Sequence, residues 1–61
     1  MTLSQAETYI AKLVYVVMTD QSLFIGHLNA LHGVVGTVID EHGHQVRAHI
    51  SFIHPYRSGH V

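Results

Sequence analysis

The chain has 61 residues, of which 48% are hydrophobic and only 11% are charged, and it contains no cysteine. This length predicts a single domain over residues 1–61. Such a domain buries only about 60% of its unfolded surface, and disulfides, a metal or oligomerisation usually stabilise so small a scaffold. Disulfides are excluded, so the apolar composition indicates contact surfaces for other subunits.

The net charge is −1, with only three basic residues, which excludes the basic footprint of an independent nucleic-acid binder. Any RNA contact would therefore use few groups, and partners would supply most of the positive charge. No apolar run approaches the ~18 residues of a membrane span. The N-terminus also lacks the basic and apolar segments of a signal peptide. We expect neither a membrane partner nor a DNA partner.

The first predicted element is a short helix. Thr2 or Ser4 can cap it, and Ser4 with Glu7 fits a capping box. The helix is predicted to run to about Ala11. β-branched and aromatic residues predict the strands that follow, and both faces of the first strand are apolar, as in a strand covered on both sides. The predicted strands cover residues 13–18, 23–30, 34–39 and 45–53, the last as one long strand or two short ones.

Glycine and proline residues indicate where these strands bend, turn or end. Gly26 inside the second strand indicates a sharp bend. Gly43 can supply a positive φ in the polar turn at residues 40–44. Pro55 cannot donate to a ladder, so pairing should stop or become an edge near it. Short sequential antiparallel strands with a bent second strand predict a small curled barrel or half-barrel.

Seven histidines raise the question of a zinc site. His42 and His44 in the tight turn would need His49 or His54 to approach a four-ligand site, and this spacing is not a zinc signature. We therefore expect no metal and no cofactor. Ser51 beside His49 or His54 is the only local pair that could act as a nucleophile and base. Residues on a strand alternate between faces, so we expect no catalytic set.

Several short motifs follow one another in a single order between residues 6 and 46. They are Tyr9-Ile10 at the helix end, Val14 to Val17 in the first strand, Asp20 in a turn, Gly26-His27-Leu28 in the second strand, Asp40-Glu41 after the third, and then His42 and Val46. Together they resemble the LSm family of Sm-like proteins without a gap. The resemblance implies a mainly-β Sm-like fold, an SH3-like small barrel with an N-terminal helix and a strongly bent five-stranded antiparallel sheet.

The resemblance also implies an RNA site. Sm-like proteins usually carry Asp at the position of His32 and Asn, which reads a uracil edge, at the position of Gly36. The residue that stacks on the base aligns with Val34. The second half of the family site is Arg-Gly near the C-terminus, for which Arg57-Ser58-Gly59 is the candidate, with one inserted residue. Arg57 could stack on a base or meet a phosphate. The implied RNA-binding residues are His32, Val34, Gly36, Arg57, Ser58 and Gly59.

The implied function is that of a non-catalytic subunit of a nuclear, heteroheptameric LSm ring in pre-mRNA splicing. Its partners would be other LSm subunits and the uridine-rich 3′ end of U6 spliceosomal RNA. The last strand of one subunit would pair with the fourth strand of the next, which removes open sheet edges.

Two alternatives stay open. One is a bacterial or phage Hfq-like homohexameric RNA chaperone, because residues 46–51 are loosely similar to that family's Tyr-Lys-His motif. The other is a protein-only SH3-like assembly module, which the missing Asp and Asn favour.

Overall fold

A computed structural model describes residues 1–56 of the chain. Helix α1 (Leu3–Thr8) precedes strands β1 (Leu13–Val17), β2 (Leu23–His32), β3 (Val35–Ile39), β4 (Gln45–His49) and β5 (Ile53–Pro55), and a 3₁₀ turn (Ile50–Phe52) joins β4 to β5. The five strands form one antiparallel sheet in the order β4-β3-β2-β1-β5. The prediction of a mainly-β chain with an N-terminal helix and a five-stranded antiparallel sheet is confirmed. No helix in these residues is long and apolar enough to cross a membrane.

Helix α1 begins at Thr2, one of the two predicted caps, and not at the capping box predicted for Ser4 and Glu7. The Thr2 hydroxyl oxygen accepts the Gln5 N–H at 3.1 Å, and Ser4 lies inside the helix. The helix also ends at Thr8, before the predicted end near Ala11. Ala11 has a φ of +70° and donates its N–H to the Leu28 carbonyl at 2.7 Å, so tertiary pairing takes the chain out of the helix.

The bounds of β2 and β3 are set by a tight hairpin. β2 extends to His32, beyond the predicted end at residue 30, because His32 pairs with Val35 across a two-residue turn. Gly33 occupies the first turn position with a φ of +63°, a conformation that glycine adopts without steric cost. Val34 therefore belongs to the turn, and β3 begins one residue later than predicted.

The segment at residues 45–53, predicted as one long strand or two short ones, contains the short strand β4 and the 3₁₀ turn, and only its last residue, Ile53, belongs to a second short strand, β5. β5 ends at Pro55 and lies at the edge of the described sheet, as predicted from the missing proline N–H. Gly43 has the predicted positive φ, at +84°.

The sheet is strongly curled. In a flat sheet β3 and β5 would lie about 14 Å apart, because three spacings of about 4.8 Å separate them. A methyl group placed on Gly36 of β3 would instead lie 2.8 Å from the Ile53 Cδ1 of β5. β2 takes part in this curl. Its first half pairs with β1 and its second half pairs with β3, and the β2–β3 pairing has a register shift between Leu28 and Ala30.

Gly26 lies where the backbone of β2 runs close against the end of β3. A Cβ on Gly26 would lie 2.5 Å from the Ile39 carbonyl oxygen and 3.0 Å from the Asp40 nitrogen. The position therefore excludes any side chain, as expected for a glycine at a close approach of two strands.

The core lies inside the curl, with Ala6 of the helix packed against it. β1 was expected to be covered on both sides. One face is fully buried, through Val14 and Val16, whereas the other face is only half-buried in the isolated chain. The buried hydrophobic residues are Ala6, Val14, Val16, Leu28, Val38, Ile50 and Ile53.

Candidate functional site

The β2–β3 hairpin brings two of the predicted RNA-binding residues together. His32 ends β2 and Val34 is in the adjoining turn, and both side chains are exposed, Val34 to 46%. The Val34 carbonyl accepts the Ile50 N–H at 2.9 Å. That bond places the 3₁₀ turn beside the hairpin. The pair could give an RNA base an apolar contact and an imidazole donor.

Gly36 is placed differently from the other two. It is buried in β3, and a side chain here would point into the core, 2.8 Å from Ile53 Cδ1 and 3.0 Å from Leu28 Cδ1. The missing side chain therefore serves core packing, and this position offers no side chain for reading a base. The role of Gly36 in RNA binding stays a prediction, restricted to its backbone.

The other predicted residues, Arg57, Ser58 and Gly59, lie outside the described residues. The last described residue, Tyr56, donates its N–H to the Leu13 carbonyl at 3.2 Å, at the start of β1.

The structure brings together His49 and Ser51, a pair that the sequence offered but that was expected to point to opposite faces. The His49 Nδ1 lies 2.9 Å from the Ser51 Oγ and accepts the Ser51 N–H at 3.1 Å. The expectation that these residues point to opposite faces is wrong. Residues two apart on a strand share a face, and here Ser51 lies in the 3₁₀ turn that follows His49, where its N–H and hydroxyl meet the imidazole. His49 thereby caps the 3₁₀ turn, and the pair is exposed, so the contacts fit a cap rather than a catalytic dyad.

The polar turn between β3 and β4 is organised by Asp40. Its Oδ1 accepts the N–H groups of His42 and His44 at 2.9 and 2.8 Å, and its Oδ2 lies 3.3 Å from the His44 Nδ1. Desolvation raises the pKa of Asp40, but these hydrogen bonds outweigh it and hold the pKa below its ordinary value. The described residues contain no group of three potential metal ligands.

The outer edge of β5 is defined by the register of its pairing with β1. In an antiparallel pair, the N–H and C=O groups of successive residues point alternately towards the partner strand and away from it. Tyr56 donates its N–H to Leu13 of β1, so His54, two residues earlier, also directs its N–H and C=O towards β1. The backbone groups of Ile53 and Pro55 therefore point to the outer edge of the sheet.

Those outward groups of β5 are largely occupied. Ile53 donates its N–H to the Ile50 carbonyl, and the Ile53 carbonyl accepts from the Met1 amino group at 3.2 Å. Pro55 has no N–H. Within residues 1–56, β5 has no backbone donor left for another strand.

The outer edge of β4 has the opposite character. The Asp40 N–H donates to the His44 carbonyl at 3.0 Å, and the same alternation directs the N–H and C=O groups of Gln45, Arg47 and His49 away from β3. Among the described residues these groups have no partner strand. One edge of the sheet is thus open and the other is closed.

A cleft of about 480 Å³ lies between β4 and the end of β1. The exposed Phe52 lies at this cleft, with 54% of its surface accessible. The cleft is lined by Val16, Val17, Met18, Thr19, Val46, Arg47, Ala48, His49 and Phe52. An open strand edge therefore adjoins a largely apolar cavity.

Comparison with protein-family models, with curated proteins and with solved structures finds no match. The functional reading therefore rests on the geometry and on the motifs in the sequence.

Proposed function

We propose that the chain is a non-catalytic Sm-like subunit of a heteroheptameric LSm ring, which binds the uridine-rich 3′ end of U6 RNA in pre-mRNA splicing in the nucleus. The observation that carries the proposal is the strongly curled sheet of order β4-β3-β2-β1-β5, whose β4 edge offers outward backbone groups to a strand of a neighbouring subunit. For a ladder to form at the β5 edge as well, Ile53 would have to exchange its bonds to Ile50 and Met1 for bonds to the neighbour.

Exposed apolar side chains support assembly. Leu23, Ile25 and Phe52 expose 57%, 42% and 54% of their surfaces. Exposed apolar surface of this extent on a small chain with few charges usually marks a contact surface for another protein. The motifs between residues 6 and 46 add the Sm-like resemblance to this geometry.

The RNA contact in this proposal is modest. His32 and Val34 at the hairpin supply an imidazole and an apolar surface, and Arg57 supplies positive charge. Gly36 has no side chain to read a base, and any side chain placed there would point into the core. With a net charge of −1, the chain leaves most of the phosphate neutralisation to its neighbours.

The test is reconstitution with six other LSm subunits, followed by native mass measurement and titration with a uridine tract. The proposal expects a heptamer that contains one copy of this chain and binds oligouridine more tightly than oligocytidine. A ring that excludes the chain, or a mixture in which it remains monomeric, would overturn the proposal.

A protein-only assembly module is a second candidate, favoured by two observations. The occupied outer edge of β5 opposes ladder formation on that side through Ile53 and Pro55. The inward-facing Gly36 also removes the usual uracil-reading side chain. This candidate expects binding to a protein partner with no effect of added oligouridine, measured on the same reconstituted mixture.

A further inference from the structure

The cleft between β4 and the end of β1 has the size and lining of a small-molecule site. Its volume of about 480 Å³ lies within the range of about 300–1,000 Å³ that is typical of ligand pockets. Such pockets combine a mostly apolar lining with a few polar groups. Val16 belongs both to this lining and to the buried core, so the cleft opens onto the core of the domain.

The apolar part of the lining would hold a hydrocarbon. Met18 is half-buried, and its unbranched thioether side chain adapts to irregular shapes. Phe52 leaves 54% of its surface accessible at the cleft, and an apolar ligand would cover part of it. The apolar lining residues are Val16, Val17, Met18, Val46, Ala48 and Phe52.

The polar groups of the lining are mainly hydrogen-bond donors. Arg47 is exposed, carries five N–H donors and makes no ion pair within residues 1–56. The His49 Nδ1 accepts the Ser51 N–H at 3.1 Å, so the neutral imidazole has its proton on Nε2 and offers a second donor. The outward backbone N–H groups of Arg47 and His49 also have no partner strand in the described sheet.

No acidic residue is among the described residues that line the cleft. Asp20, which follows the lining residue Thr19, is held in its own turn. Its Oδ1 accepts the Ser22 N–H at 3.0 Å and the Ser22 hydroxyl at 2.6 Å. The charge of Arg47 is therefore not neutralised at the cleft. A ligand carboxylate would complement it, because a guanidinium can bind a carboxylate through two parallel hydrogen bonds.

We propose that this cleft binds a small amphipathic carboxylate of the medium-chain fatty acid type. The hydrocarbon chain lies among Val16, Val46 and Phe52, and the carboxylate lies at Arg47 and His49. A ligand with several phosphates fits less well, because the described lining holds a single permanent cation. Neither RNA nor a second subunit contributes to this site, so the inference goes beyond the proposed function.

The test titrates the isotopically labelled chain at neutral pH with octanoate and three matched ligands, and follows methyl and amide signals. Octanol keeps the hydrocarbon chain without the charge, octylamine reverses the charge, and acetate keeps the charge without the chain. Octanoate should shift the methyl signals of Val16, Met18 and Val46. It should bind at least about tenfold more tightly than octanol, because a charged group strengthens the hydrogen bonds. Octylamine and acetate should bind more weakly than octanol.

Two variants separate the head group from the hydrocarbon. Arg47→Gln should reduce the affinity for octanoate about tenfold and leave the affinity for octanol unchanged. Phe52→Ala should weaken both ligands by the same factor of about three, the loss expected from about 25 Å² of apolar contact. Lys12→Gln is the matched control for charge, because Lys12 lies near the Tyr9 ring and does not line the cleft. It should leave octanoate binding unchanged.

A second readout does not need a concentrated solution of the isolated chain. The chain is fused to a soluble carrier and irradiated at submicromolar concentration with a fatty acid that carries a diazirine at the end of its hydrocarbon chain. Mass spectrometry should locate the label on cleft residues such as Met18 and Phe52. Excess octanoate should suppress the labelling about tenfold more effectively than excess octanol.

Three results would overturn the inference. One is equal binding of octanoate and octanol by the parent chain. Another is labelling or shifts located away from the cleft, for example at Leu23 and Ile25. The third is a change in the Val16 and Val46 methyl signals with chain concentration before any ligand is added, which identifies a second copy as the occupant. These tests contain no RNA and no LSm subunit, so their failure is distinct from a failure of the proposed function.

Discussion

Replacing Gly26 with alanine tests a position where an added side chain would meet the backbone of a neighbouring strand. The added Cβ would lie 2.5 Å from the Ile39 oxygen and 2.7 Å from the Ile39 carbonyl carbon. These are backbone atoms, and Ile39 pairs with both His27 of β2 and Gln45 of β4, so they cannot move without disturbing two ladders. The methyl group must therefore separate β2 from β3.

The expected cost lies at the upper end of the overpacking range, at about 3 kcal/mol. A domain of this length has a total stability of about 3–9 kcal/mol at typical values per residue. Gly26→Ala should therefore lower the melting temperature by about 12 °C or more, if the variant folds at all. Thermal and urea unfolding followed by circular dichroism would measure the change in the free energy of unfolding.

Gly33→Ala is the matched control, because no atom lies within 4 Å of its added Cβ. Its cost arises only from the positive φ and should be about 1 kcal/mol. The reasoning is refuted if Gly26→Ala unfolds within about 0.5 kcal/mol of the parent, the range of ordinary surface substitutions. A larger loss in Gly33→Ala than in Gly26→Ala would refute it equally.

Four further substitutions test separate features. Gly36→Ala should cost about 1 kcal/mol, less than Gly26→Ala, because the neighbouring ends of the Ile53 and Leu28 side chains can shift. Thr2→Ala should cost about 1 kcal/mol in urea unfolding through loss of the helix cap, and no change would remove Thr2 as the cap. The lowered pKa of Asp40 stabilises the fold above pH about 4, and this contribution is lost as the pH falls through the folded pKa. Asp40→Asn should therefore flatten the acidic limb of a stability–pH profile, and an unchanged limb would contradict this. In an assembled ring, Arg57→Ala should weaken oligouridine binding by about 1–3 kcal/mol if Arg57 stacks on a base, and equal affinity would remove it from the site.

Local signals explain what the sequence predicted well. β-branched runs predicted β1 to β3, and the positive φ at Gly43 and the end of β5 at Pro55 follow from the intrinsic properties of these two residues. In each case the deciding interaction is between neighbours in the chain, so the sequence carries it directly.

The features that the sequence did not predict depend on distant partners. The 3₁₀ turn begins at Ile50, whose N–H donates to the Val34 carbonyl and whose carbonyl accepts from the Met1 amino group. Both partners are far from Ile50 in the chain. The inward direction of Gly36 follows from the register of β3 in a curled sheet, and the early end of α1 follows from the bond between Ala11 and Leu28. The candidate RNA site is therefore only partly predictable. The sequence located the hairpin and named the pair of His49 and Ser51, whereas the contact between these two side chains emerged only from the fold.

We propose that this chain is an assembly subunit whose open β4 edge and exposed apolar surface are covered by other chains. Native mass measurement of the chain, alone and after mixing with six other LSm subunits, tests this most directly. The account predicts that the isolated chain self-associates or is partly unfolded, and that the mixture yields a heptamer containing one copy. A monodisperse, cooperatively folding monomer at micromolar concentration that stays monomeric in the mixture would contradict it.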